Sequence, residues 1–207
     1  MTASDKPLPK YFTVPCCKCL AEGNHIDIST GNSNASWFAT PPLSSALIPV
    51  VVTLPTHANW ATLTFPGPSA SWVDDTGTGG GPIGKQAGLW IYQMQILVQS
   101  KCRIPYIKMP SVTGKFRGDN SATISVNGNP QGATTGGSLG FPLGNEGSFS
   151  ASLIYGLNTI RVEVKNDGDG PNRTGQQSGV IVNAFIQANC DASALAPSGP
   201  PPTVISN

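Results

Sequence analysis

The stretch "LWIYQMQILVQ", residues 89–99, puts Trp90, Tyr92, Met94, Ile96 and Val98 on one face and Gln93, Gln95 and Gln99 on the other. Alternation with a period of two fits a half-buried β-strand, because a helix would bring apolar residues back every three or four positions. The segment "TIRVEVKN", 159–166, follows the same rule, with Ile160, Val162 and Val164 set against Arg161, Glu163 and Lys165. So does "VIVNAFIQA", 180–188, where Val182, Ala184 and Ile186 oppose Asn183 and Gln187. Further strands are expected over 47–54, 61–65, 114–118, 122–126 and 148–154. The 24 glycines and 19 prolines interrupt nearly every window that could hold a helical stripe. The chain is therefore expected to be all-β. About eight to ten short strands would form an antiparallel sandwich of the jelly-roll kind.

A chain of 207 residues is long enough to bury a core without staples. The expected division is an N-terminal arm over 1–24, a sandwich domain over 25–190 and a Pro-rich tail over 191–207. Twelve basic residues against 11 acidic ones leave a net charge of +1 with no charged block. Nucleic acid is thus not the expected partner, since phosphate binding needs clustered Lys and Arg. Only 11% of residues are charged, so the surface must be built from Ser, Thr, Asn, Gln and Gly, as suits an extracellular or virion protein. The longest apolar run, "ALIPVVVTL", is too short to span a bilayer and contains Pro49. The opening "MTASDKPLPKYFTV" holds no apolar stretch of signal-peptide length, so membrane insertion is not expected, and work outside a cell would require release by lysis, by a non-classical route or within an assembled particle.

The segment "FRGDNSATISVNGNPQG", from Phe116 to Gly132, could hold a ligand or merely fold a hairpin. Asn127-Gly128 is a strong type I′ turn signal, because both central positions need positive φ. Asp119 and Asn120 can bind nearby backbone amides and hold the turn before the strand. The hairpin is the expectation, with Asp119 and Asn120 kept as candidate ligand-binding residues.

From about Trp60 to Cys190 the order of elements resembles the galactose-binding-like jelly-roll β-sandwich modules of bacteria and phages. The residues that carry the resemblance are Ser71-Trp72 in "SASWVDD", the lead-in "GLWIYQMQILV", the unit "GKFRGDNSATISVNGNPQG" and the strand "GLNTIRVEVKN". It implies a sandwich fold, places "DN…VNG" at a turn and hairpin, and permits a structural calcium without locating it. Modules of this kind bind glycans, decorate surfaces or serve as assembly parts, so fold alone does not choose among those roles.

Candidate sites are few. "NDGDG" offers Asp167 and Asp169 at the alternate spacing of a calcium loop but lacks the acidic twelfth position of an EF-hand. Asp74 and Asp75 could add oxygen ligands. The five cysteines, Cys16, Cys17, Cys19, Cys102 and Cys190, leave one unpaired within the chain whatever the others do. A four-thiolate zinc site, a disulfide such as Cys102 with Cys190, and buried thiols all stay open. His25 and His57 lie in different segments, and a Cys–His dyad, for example Cys19 with His25, stays open. Glu22, Glu146 and Glu163 are the only glutamates, none placed as a glycosidase pair, so no enzyme is expected and no cofactor is called for. Among the tryptophans, Trp90 belongs in the core by alternation and Trp37, in "NASWFATPP", is the candidate for an exposed sugar-stacking face.

The resulting expectation is a non-catalytic structural surface protein of a large assembly, most plausibly a phage virion, as a head decoration, cement or tail-associated subunit. Sandwich faces would contact other subunits of the assembly, as a homo-oligomer. Pro200, Pro201, Pro202, Val204 and Ile205 would lie extended along a neighbour as an assembly arm. The alternative is an extracellular carbohydrate-binding or adhesive module that recognises cell-surface glycan.

Overall fold

The computed structural model describes residues 11–14, 25–33, 35–52, 63, 70–75, 86–99, 108–134, 145–166 and 178–188. Among them there is no helix. The thirteen strands form two sheets packed face to face, a β-sandwich. Except for one parallel pairing, the strand pairs among the described residues are antiparallel.

The larger sheet is built on two long strands, β7 (Gly88–Val98) and β12 (Gly156–Asn166), paired in register along their whole length. Beyond β12 come β9 (Ser121–Val126) and β10 (Asn129–Ala133), and beyond β7 come β3 (Trp37–Thr40) and β4 (Ile48–Pro49). A three-residue strand, β1 (Phe12–Val14), lies inside the segment expected as an arm and pairs in parallel with the last part of β7. The smaller sheet runs in the order β11 (Gly147–Ser152), β8 (Ser111–Gly118), β13 (Val180–Gln187), β6 (Val73–Asp74) and β5 (Val51–Val52). A further piece, β2 (Ile26–Asp27), pairs with β13. From β7 onward the chain crosses between sheets at every connection except the β9–β10 hairpin, the alternation a jelly roll requires.

The core lies between the sheets. On β7 and β12 the alternation read from the sequence is realised residue by residue: Tyr92, Met94, Ile96, Ile160, Val162 and Val164 are all buried. They meet Phe116, Val180, Val182, Ala184 and Ile186 of the smaller sheet. Each such side chain stabilises the fold by about 1.5–3 kcal/mol through removal from water.

Two expectations are corrected. The run 47–54 is not one strand: β4 belongs to the larger sheet and β5 to the smaller, with Val50 between them. Pro49 cannot donate to a ladder, and the Val50 amide donates instead to Trp37 O at 3.2 Å while the chain changes sheets. Four short strands, β1, β2, β3 and β6, were not foreseen, while β10 is the second strand of the expected hairpin. The strand expected at 61–65 lies outside the described residues apart from Leu63, which is buried and not in a strand.

Candidate functional site

The β9–β10 connection is a two-residue loop, since Val126 pairs with Asn129. Asn127 has φ 52° and Gly128 φ 78°, the conformation of a type I′ turn. The Asn127 side chain also ties this hairpin to β12. Its Oδ1 accepts from Thr159 N at 2.9 Å, and its Nδ2 donates to Asn158 Oδ1 at 2.8 Å. Asn158 is fully buried at the start of β12, where it accepts from Ile154 N at 2.9 Å and donates to Ile154 O at 2.8 Å and Gly156 O at 3.2 Å. A polar residue among apolar ones is tolerated here because nearly all its hydrogen-bonding capacity is used. The sequence pattern gave no sign of this clamp, since its partners are separated by about thirty residues.

Asp119 and Asn120 lie inside the turn between β8 and β9 and are almost wholly buried, so as ligand-binding residues they are not presented to solvent. Their backbones are anchored: Asp119 N donates to Gly179 O, Asn120 N to Lys165 O, and Ser178 Oγ to Asp119 O at 3.0 Å. Deeper in, the fully buried Tyr92 hydroxyl has no hydrogen-bond partner. Burial, followed by the charges of Asp74, Asp75 and Asp119, pushes this phenol well above its ordinary pKa. Among the described residues no group of three or more His, Cys, Asp or Glu could hold a metal ion.

Trp37 is corrected as well. Its side chain is 3% exposed and its Nε1 donates to Ile28 O at 3.0 Å, so it offers no face to a sugar. Trp37 and Ala39 point inward from β3 while Phe38 and Thr40 are half-buried. Trp72 and Trp90 are buried too. Trp60, all five cysteines, His57, Glu22, Asp167 and Asp169, and the arm residues Pro200, Pro201, Pro202, Val204 and Ile205 lie outside the described residues. His25 stacks on Phe185, with ring centroids 3.9 Å apart and planes 9° from parallel.

The two outer faces of the sandwich differ. On the smaller sheet, Ile181 sits under Trp72, Leu63 and Ala70 in a separate apolar cluster. Asn183 is buried beside Ser29, whose hydroxyl donates to its Oδ1 at 3.3 Å. Segment 28–30 runs along the edge of β13, where Ile28 N and Thr30 N donate to Ala184 O and Val182 O. In return, Val182 N and Ala184 N donate to the Thr30 and Ser29 hydroxyls at 3.0 and 3.1 Å, so these side chains satisfy the strand's edge. Arg117, also on the outer side of this sheet, is 1% exposed and gives its Nη2 to Glu146 Oε2 at 2.5 Å. That contact, with a second from Lys115 at 3.3 Å, holds the Glu146 carboxyl at about 2.

Among the described residues no such cover lies over the outer face of the larger sheet. Register places Ser125, Arg161 and Gln93 side by side across β9, β12 and β7. With Thr159 and Glu163 they line an open groove of about 390 Å³ that ends at Asn127 and Gly128. Arg161 Nη2 donates to Glu163 Oε1 at 2.8 Å, and both side chains are more than a third exposed. At one end of the same face Leu157 pairs with Leu97 and is 50% exposed, and in the turn just before β12 Ile154 and Tyr155 are 56 and 48% exposed.

No protein-family model matches the chain, and no curated protein does. Among solved structures, a candidate β-galactosidase from Bacteroides fragilis is similar at 15% identity and a TM-score of 0.31. The match covers 64% of this chain and 23% of that one, so the chain spans about a quarter of that structure's length.

Proposed function

We propose that this chain is a non-catalytic surface subunit of a large assembly, docking on neighbouring copies through the outer face of its larger sheet. The observation that carries the reading is the exposed apolar surface at that end, where Leu157 pairs with Leu97 and the turn residues Ile154 and Tyr155 just before it in the chain are about half exposed. Exposed apolar side chains are ordinary when scattered, whereas a contiguous group on an uncovered sheet supports a contact with another protein surface. A copy using the same patch would form an isologous contact around a two-fold axis. A near-neutral surface with 11% charged residues fits a close-packed particle, and a phage virion is the setting proposed.

The test is light scattering coupled to size-exclusion chromatography on the full chain and on Leu157→Asp. An oligomer that becomes a monomer in the variant, with an unchanged melting temperature, is the expected result. A wild-type monomer, or an oligomer indifferent to the substitution, contradicts this docking surface. A second reading, a carbohydrate-binding module, is favoured by the polar groove beside the apolar end.

A further inference from the structure

We infer that the groove over β9, β12 and β7 is a binding site for a neutral saccharide, gripped through adjacent hydroxyl groups by Arg161 and Glu163. The inference rests on reading this face as the protein's binding face, but it concerns different residues from those of the apolar end.

A sugar hydroxyl is one donor and two acceptors, so a site that satisfies several of them needs donors and acceptors in alternation. Arg161 supplies donors only and Glu163 acceptors only, while Gln93, Ser125 and Thr159 supply both. The Nη2–Oε1 contact at 2.8 Å orients the pair and leaves Glu163 Oε2 and the other Arg161 amino group without a protein partner. Among the described residues the side chains of Gln93, Ser125 and Thr159 have no hydrogen-bond partner either. Neighbouring polar residues behave otherwise: Asn127 and Asn158, at the end of the groove, are committed to the hairpin clamp. Unused polar side chains thus gather where the strands form a recess.

Spacing sets the size of what fits. Adjacent strands lie about 4.8 Å apart, so the row Ser125–Arg161–Gln93 spans roughly 10 Å across the sheet. Glu163 stands in the next outward row, two residues or about 6.8 Å along β12. That footprint and the volume of about 390 Å³ suit a ligand of one or two sugar units.

Charge and composition select among polar ligands. Arg161 and Glu163 cancel, so nothing in the groove favours phosphate, sulfate or an acidic sugar over an uncharged ligand. The lining residues are polar or glycine, and a protein partner would need an aliphatic or aromatic anchor at the centre of its contact. The apolar end at Leu157 has that character and the groove does not. With no aromatic face beneath the ligand and solvent on one side, the expected dissociation constant is on the order of 1 mM per sugar unit.

The experiment is a panel of immobilised neutral and acidic glycans probed with the full chain. Bound glycans are then titrated in solution as monovalent oligosaccharides, so that multivalent attachment does not inflate affinity. Binding to a neutral glycan is expected, weakened about tenfold or more in Arg161→Ala and in Glu163→Gln. Both variants should melt within about 2 °C of wild type, because the two side chains carry little of the fold's stability. Leu157→Asp should keep the solution affinity even where it abolishes self-association, which separates the two readings. No neutral glycan bound, acidic glycans alone bound, or unchanged affinity in both groove variants would each overturn the inference.

Discussion

On β12 the outward side chains Thr159, Arg161 and Glu163 stand half exposed, whereas on β13 the outward Ile181 and Asn183 are buried by other parts of the chain and Phe185 is half-buried against His25. Both strands sit inside their sheets, and both present alternate residues to the core. The difference lies in what returns over them. Trp72 and Leu63 pack on Ile181, Ser29 meets Asn183 and His25 stacks on Phe185. Each of these partners is far away in sequence. Over β12 and β7 nothing among the described residues returns. The smaller sheet is thereby held from both sides and its outer residues contribute to stability. The larger sheet draws its stability from the inner side only, and its outer residues can be selected for contact with something else.

The comparison can be broken first at Trp72. Trp72→Ala should destabilise the fold by about 4 kcal/mol, through lost burial and the cavity left over Ile181. Chemical denaturation measures this, and a loss below about 1 kcal/mol would mean the cover is ornamental.

Next comes the ion pair on the same side. Glu146→Ala should cost roughly 3 kcal/mol, because the buried Arg117 guanidinium loses its carboxylate. The pair also predicts a pH dependence. The hydrogen bond from Arg117 lowers the Glu146 pKa to about 2, so its contribution is complete above the ordinary carboxylate range and disappears as pH falls toward 2. Denaturation midpoints between pH 5 and about 2 should slope for the wild type and flatten in Glu146→Ala. Equal slopes would show that other carboxylates govern the acid transition.

A smaller effect is expected where Asn158 ties the β9–β10 hairpin to β12. Asn158→Ala should cost about 2 kcal/mol, since it frees Ile154 N, Ile154 O and Asn127 Nδ2 from their common partner. Amide exchange should quicken at the β9–β10 hairpin before it quickens in β13. The smallest effect belongs to the open face: Gln93→Ala and Thr159→Ala should shift stability by no more than about 0.5 kcal/mol. A larger loss at either would make that face structural and erase the contrast.

Much of this fold is legible in the sequence, and the reasons are local. The alternation of β7 and β12 depends only on which residues face the core, and Asn127-Gly128 on which residues accept positive φ. Outward polar residues on those strands could be read as well. What could not be read is that Ser125, Arg161 and Gln93 form one row, because this depends on strand order set by pairing across long separations. The same limit explains Trp37. Its flanking Asn, Ser and Pro residues suggest a surface loop, yet pairing with Met94 of β7 carries it inward. The cover on β13 is the extreme case, since Ser29 and Asn183 are 154 residues apart.

The central claim is that the larger sheet's outer face is where this protein meets its neighbours. Hydroxyl-radical footprinting of the full chain, dilute and concentrated enough to assemble, tests it most directly. The account predicts protection of Ile154, Tyr155 and Leu157 on assembly, with Leu43, Val51 and Val52 as reactive as before. Protection of Leu43, Val51 or Val52 without change at Ile154, Tyr155 and Leu157 would contradict it.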